Sequence, residues 1–429
     1  MIEMTPAPAP PPSGEQNPFE PTPRVQRYVA DFARFVDAEV RPVEEEVGRA
    51  LSTVRSPTPH LSEDGSMTPV LWEARREVMR RAGAAGLYAP HLPEELGGAG
   101  FSRVEMFHVE EAVYSYGLGL ALAALAWTEG PAPALLATDA EQRKRFVDPL
   151  VRAETTAAFA NTEREAGSDV LGMQTRAVRD GSDWVISGRK AWITNAQFCD
   201  VAQVVAVVDP DAGGRSLSAF FIEADRPGFS RGPTYPTIMD DGLTGELIFD
   251  EVRIPDDNRI GEVGDGLGFG LSWIGWRRMC RGGMCSGWGK LLLDRAVERA
   301  SSRRAFGGRL ADLQAVQHLL ADMWTDWYAM RAVSVSAQAE LDRIGPYAVP
   351  QPERARLLIS TVKLHCDEAF FRIADRGVQV HGATGLLRGK LEEKLFRVAR
   401  NLRIPAGTVE IQRNTIAKQL GAERSVVAR

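Results

Sequence analysis

Trp184-Val-Ile-Ser-Gly-Arg-Lys-Ala-Trp-Ile-Thr-Asn195 is a β-branched and aromatic run broken by one Gly, and it reads as a strand, a turn and a strand. Val201 to Val208, Leu217 to Glu223 and Glu246 to Ile254 have the same texture and are bounded by Gly, Pro and Asp. These runs predict a β-domain over residues 156–267.

On both sides the apolar period changes to that of a helix. Upstream, Val25 to Val47 places Tyr28, Val29, Phe32, Phe35 and Val36 at helical spacing, and Leu71 to Ala85 continues in that style. A Gly/Pro-rich turn, Pro90 to Gly100, precedes a helix through Phe107, Val113 and Tyr114, and Asp139 can cap a short helix through Phe146. Downstream, Trp273 to Arg304, Gln314 to Leu341, Glu353 to Val380 and Leu391 to Arg403 predict four long antiparallel helices, a bundle. The fold class is therefore α+β. A Pro-rich tail over 1–23, expected to be disordered, leads to a helical domain over 24–155, an antiparallel β-domain over 156–267 and a helical bundle over 268–429. Ser52 to Pro69 reads as a loop.

Composition excludes several function classes. A net charge of −6 over 429 residues lacks the basic footprint of a nucleic-acid binder. No apolar run reaches the ~20 residues of a membrane span, Gly117 to Trp127 being short and alanine-rich. No charged-then-apolar leader is present, so the chain reads as cytoplasmic, with neither nucleic acid nor membrane as a partner. Cys199, Cys280, Cys285 and Cys366 lack metal-knuckle spacing and read as reduced, mostly buried thiols. The six histidines lack metal-site spacing too, so no metal is expected.

No stretch fits the Rossmann glycine pattern or the P-loop, so a nucleotide cofactor needs another device. The glycines from Gly261 to Gly270 read as a hinge into the long helix. Phe159-Ala-Asn-Thr-Glu-Arg-Glu-Ala-Gly-Ser-Asp169 offers short hydroxyl donors and exposed backbone N–H groups, suited to a heterocycle edge or a phosphate. By itself it reads as a polar loop. Trp192-Ile-Thr-Asn195 sets an aromatic face beside a hydroxyl, and by itself Trp192 reads as a core residue.

Together these two segments resemble the T-E-x-x-A-G-S-D loop and W-I-T-N strand of the acyl-CoA dehydrogenase family. The resemblance continues through Arg303-Arg-Ala-Phe-Gly307, Gln314-Ala-Val-Gln317, Gln379-Val-His-Gly-Ala-Thr-Gly385 and Gly407-Thr-Val-Glu-Ile-Gln-Arg413, in the family's order. It implies FAD as cofactor, an acyl-CoA thioester as substrate, a homo-oligomer (dimer or tetramer) and an electron-transfer flavoprotein as acceptor. Phe159, Thr162, Trp192 and Thr194 would line the flavin ring. Arg303, Phe306, Gln314, Gln379, Gly382 and Ala383 would hold the diphosphate and adenine, partly from a neighbouring subunit, and Thr408 and Glu410 would meet the same dinucleotide. Ser168 would lie near the thioester arm, and Arg278 is a candidate CoA contact.

One part of the pattern is broken. The family's carboxylate base usually precedes the G-T of the C-terminal loop, where this chain has Ala406. A minority version carries it just before the Arg aligned with Arg278, where this chain has Arg277. Neither side chain accepts a proton, so the catalytic residue is unknown. Three readings follow. Another group acts as base, with Glu163, Glu165, Glu410 and His381 inside the motifs; or the chemistry needs none, such as elimination or a desulfinase-like reaction, with Arg277 binding an anionic acyl tail or pairing with an acid or cofactor phosphate; or the chain is a half-site partner of a base-carrying subunit. Arg397, Arg400 and Arg403 form a basic stripe that reads as solvated or salt-bridged.

Overall fold

The computed structural model describes residues 17–427 except 55, 57 and 346–350. The tail expected to be disordered lies outside the described residues as far as residue 16. Its last part differs from expectation. The Pro18 carbonyl accepts from His108, and Thr22 caps helix α1 (Pro23–Phe35) by accepting from the Val25 N–H. Val25, Tyr28, Phe32 and Phe35 form its buried face. The predicted 25–47 helix is then interrupted by a π turn, Val36–Val40, before α2 (Arg41–Ser52). Pro42 explains the break, since it has no N–H to continue the α ladder. Helix α3 (Pro69–Ala84) follows the loop. Helix α4 (Arg103–Tyr114) begins with a Ser102/Glu105 capping box. Short helices α5 (Ala140–Gln142) and α6 (Asp148–Val151) complete this region, α5 capped by Asp139 as its sequence implies.

The sheet has eight strands. Seven run in the order β6 (Phe229–Thr234), β7 (Thr244–Pro255), β3 (Asp183–Thr194), β2 (Arg176–Asp180), β4 (Val201–Val207), β5 (Leu217–Glu223), β8 (Arg259–Ile260). The eighth, β1 (Ala157–Ala160), lies parallel to β4, and a single parallel bridge links β2 to β4; the other pairings are antiparallel. The strand–turn–strand expected around Gly188 is one continuous strand instead. Two register shifts against β7, at Ile186/Gly188 and Lys190/Ile193, absorb the irregularity. One face of the sheet, with Phe220, Ile222 and Trp184, packs on itself, and the other joins the N-terminal helices through Val205, Ala219 and Phe221.

The predicted helix 273–304 is two helices, α7 (Gly266–Met279) and α8 (Arg281–Ser302), meeting at Cys280. Close approach to α4 follows at once: a Cβ at Gly283 would lie 2.5 Å from the Phe107 carbonyl, and one at Gly287 2.4 Å from that of Glu111. A small hairpin, β9 (Arg304–Ala305) and β10 (Gly308–Arg309), leads to α9 (Gln314–Ile344), α10 (Glu353–His381) and α11 (Leu391–Leu402). The sequence reading missed a last long helix, α12 (Val409–Val427). The basic stripe is salt-bridged in part, Arg397 to Glu393 and Asp240, Arg403 to Glu368.

Candidate functional site

The loop after β1 is fixed by a buried ion pair. Lys190 points inward from β3, its side chain fully buried, and pairs with Glu163 at 2.8 Å. Its ammonium also donates to the Asn161 carbonyl at 3.1 Å. Glu163 accepts from the backbone N–H of Gln174 at 2.6 Å and of Thr175 at 2.9 Å. The Ala191 N–H donates to the Thr162 carbonyl at 2.9 Å. Thr162 is thus held on both sides. Burial pushes the Lys190 ammonium down to about 8, against the pull of Glu163.

The register shift beside Lys190 turns Trp192 outward. Its φ is +60°, a left-handed value unusual for an aromatic residue, and the side chain is 54% exposed. One face is covered by Tyr235, with ring centroids 4.2 Å apart. Tyr235 donates to Glu246, which also pairs with Arg164 at 2.6 Å. Thr194 is half-buried, and Asn195 ties the segment back to β1 by donating to the Ala157 carbonyl at 2.9 Å. The structure therefore brings Phe159, Thr162, Trp192 and Thr194 to one corner of the sheet. Phe159 stacks on Trp273 of α7 at 4.2 Å, and Ser168 is exposed on the loop.

A second group sits at one end of the bundle. Helices α8, α9 and α10 alternate in direction, so the end of α8, the start of α9 and the end of α10 are neighbours. Arg303, Gln314, Gln379, Gly382 and Ala383 are all exposed there. Phe306, at the hairpin tip, has φ +51° and is 93% exposed.

The third group lies beside the α7–α8 junction. Arg278 Nε donates to the Ala406 carbonyl at 2.7 Å. Ala406 has φ +60° and Gly407 +81°, and a Cβ on Gly407 would meet the Arg278 guanidinium at 2.8 Å. Thr408 Oγ1 accepts from the Ile411 N–H at the start of α12, and Glu410 is exposed. Arg278, expected to touch CoA, is thus placed to hold this loop.

Two of the four base candidates are already engaged by other groups, and two are exposed. Glu163 is saturated by Lys190 and two backbone donors. His381 is held between the Gly377 carbonyl at 2.8 Å and Glu392 at 3.3 Å. Glu165 and Glu410 point to solvent.

Arg277 is buried, 3% exposed, with its guanidinium over the rings of Trp127 and Trp276. Burial lowers it to about 10, so it is still charged at neutral pH. It lines a small cavity together with His91, Glu110, Trp127 and Trp276. His91 stacks on Trp276 at 5.0 Å, and burial pushes its imidazole down to about 3. Sequence reasoning missed Lys190, Tyr235, Trp127, Trp273, Trp276 and His91. A signal existed for Trp273 and Trp276, which lie four residues before Arg277 and immediately before it on one helix.

Three family profiles match in chain order: the acyl-CoA dehydrogenase N-terminal domain over residues 22–154, the middle domain over 158–252 and the C-terminal domain over 264–421. A probable acyl-CoA dehydrogenase of Mycobacterium leprae is 32% identical over 80% of this chain and 87% of its own length. The CarC subunit of the caffeyl-CoA reductase–Etf complex of Acetobacterium woodii is 29% identical over 81% of this chain and 90% of that protein. The crystal structure of an acyl-CoA dehydrogenase complexed with FAD from Bacillus anthracis superposes with a TM-score of 0.81 at 25% identity, covering 96% of this chain and 69% of that one.

Proposed function

The chain belongs to the acyl-CoA dehydrogenase family, and from that premise we infer that it is an FAD-dependent oxidoreductase acting between Cα and Cβ of an acyl-CoA thioester. The observation that carries the reading to this chain's own residues is the pinned Thr162 beside the outward-turned Trp192. An aromatic ring held half in solvent at a left-handed φ is an unfavourable arrangement unless a planar partner covers it. The residues fit FAD.

Bound FAD would supply the two-electron oxidation. Trp192 would lie against one face of its ring system, and the Thr162 and Thr194 hydroxyls would donate to the polar edge. Arg303 suits a phosphate, since guanidinium binds phosphate through paired bonds. Gln314, Phe306, Gln379, Gly382 and Ala383 would complete the far end, and Thr408 and Glu410 would meet the dinucleotide near Arg278. Glu368, bonded to Arg403 and Arg413 on either side of that loop, and Gln379 stand eleven residues apart on α10. That is about 16 Å of helix. One extended dinucleotide can span that distance; the homo-oligomer, dimer or tetramer, is inferred from the family resemblance alone. Ser168 would lie beside the thioester arm.

The α-proton has no carboxylate waiting at either place where the family puts one. A positioned base contributes ~10² to 10⁴ in rate, so turnover with simple acyl chains should be slow. The electron acceptor we assign is an electron-transfer flavoprotein, as for a chain similar to an Etf-complex subunit. Among the described residues no helix is long and apolar enough to cross a membrane. The test is anaerobic mixing of FAD-loaded protein with acyl-CoA. Loss of flavin absorbance supports the reading, and an unchanged spectrum across short, long and branched acyl groups refutes it.

A further inference from the structure

The buried cations around α7 and α8 are not all alike. Arg103 faces Glu110 at 3.5 Å. Arg281 faces Asp367 at 3.6 Å, and Lys363 meets the same carboxylate at 2.6 Å. Arg277 has no such partner: among the described residues no carboxylate lies within ion-pair reach of it. Among the described residues its hydrogen-bond partner is the Cys280 sulfur at 3.9 Å, and its Nη2 has none. The Trp127 and Trp276 rings hold the guanidinium by its faces. Face contacts leave the in-plane N–H donors unfilled. A buried charge with open donors is unfavourable unless an anion completes it.

The cavity beside Arg277 is where that anion would sit. At about 10 Å³ it has room for about one water. A terminal carboxylate is larger than that, so the side chains around the cavity shift as a ligand enters. Trp276 adds a second donor, its buried indole Nε1–H being likewise unpartnered. Glu110 also lines the cavity. Its Oε1 faces Arg103 at 3.5 Å and its Oε2 is unpartnered among the described residues, so one carboxylate is shared by the Arg103 and Arg277 guanidinium groups and the cluster keeps a net positive charge.

The cavity lies close to the flavin corner, separated from it by packed aromatic rings. Phe159 stacks on Trp273, Trp273 meets Trp276 edge to face at 6.1 Å, and Arg277 follows Trp273 by one helical turn. One turn is about 6 Å, a distance spanned by a few methylenes.

We propose that Arg277 receives a carboxylate at the far end of the acyl group, so that this chain takes CoA monothioesters of short dicarboxylic acids in preference to those of unbranched monocarboxylic acids. The proposal rests on the acyl-CoA reading above. It also explains why an arginine stands where relatives of one kind carry a base: the position serves recognition.

Calorimetric binding to the FAD-loaded protein tests it, with succinyl-, glutaryl- and adipyl-CoA set against butyryl-, valeryl- and hexanoyl-CoA. A charge-assisted hydrogen bond to a buried carboxylate corresponds to a preference of about 10- to 100-fold for the matched dicarboxylyl thioester. Arg277→Met should abolish that preference by weakening only the dicarboxylyl series, and Arg277→Lys should restore part of it. Equal affinity for both series in the unaltered protein overturns the proposal and leaves the acyl-CoA reading standing. So does a preference that survives Arg277→Met. Binding of neither series by FAD-loaded protein overturns both. Should Arg277→Met fail to fold, the comparison in the unaltered protein decides alone.

Discussion

Replacing Lys190 with Met removes the ammonium that joins β3 to the loop carrying Thr162. The two side chains of the pair are 0% and 8% exposed, so neither charge has water to fall back on. Breaking a buried pair by deleting one partner costs about 3–5 kcal/mol, chiefly because the survivor stays charged and unpaired. Glu163 would retain the Gln174 and Thr175 backbone donors, which places the expected loss near the lower end, about 3 kcal/mol. The bond to the Asn161 carbonyl disappears as well. A charged hydrogen bond contributes about 1.5–3 kcal/mol, so if Thr162 contacts the flavin, FAD affinity should fall by at least about tenfold. Urea melts would measure the first effect and fluorescence titration with FAD the second. Lys290→Met is the control. Lys290 pairs with Asp294 at 2.7 Å on the exposed face of α8, and an exposed i,i+4 pair contributes only about 0.3–0.5 kcal/mol. If Lys190→Met melts and binds FAD as the control does, the buried pair does not organise the loop and the reasoning fails.

Ala406→Glu should raise the rate of flavin reduction by acyl-CoA by ~10² to 10⁴, since Ala406 already tolerates φ +60°; no gain in FAD-loaded protein would show that more than a base is missing. Trp192→Ala should weaken FAD binding with little change in the apoprotein's melting, because the ring is 54% exposed; equal FAD affinity would remove Trp192 from the flavin site. His91 gives a pH dependence. Burial holds its folded pKa at about 3 against 6.5, so between those values the unfolded chain takes a proton that the folded one refuses. Its contribution is complete above pH 6.5 and declines as pH falls toward 3, by up to about 1.4 kcal/mol per unit. His91→Phe should flatten that part of the urea stability profile between pH 7 and 5, and an unchanged slope would contradict a buried neutral imidazole.

The order of helices, sheet and helices was legible because apolar period reports local structure directly. Thr162 and Trp192 were singled out because their neighbours repeat a known pattern. Lys190 was not. A lysine on a strand reads as solvent-facing, yet Lys190 lies in phase with the buried Trp184 and Ile186, and only the tertiary pairing with Glu163 accounts for a charge at that inward position. The break at Cys280 was hidden for a similar reason. The apolar run continues through it, and the need for the junction comes from α4, more than 150 residues away, whose backbone passes against Gly283 and Gly287. The contact of Arg277 with Trp127 is likewise tertiary, so the sequence showed that a base was replaced but not what surrounds the replacement.

The convergence of Thr162, Trp192, Arg303 and Gln379 on a shared dinucleotide is tested most directly by the absorbance spectrum of the purified full chain before and after incubation with FAD. A yellow protein that retains FAD in proportion to chain through gel filtration is the expected result. Colourless protein that takes up no FAD would contradict the account.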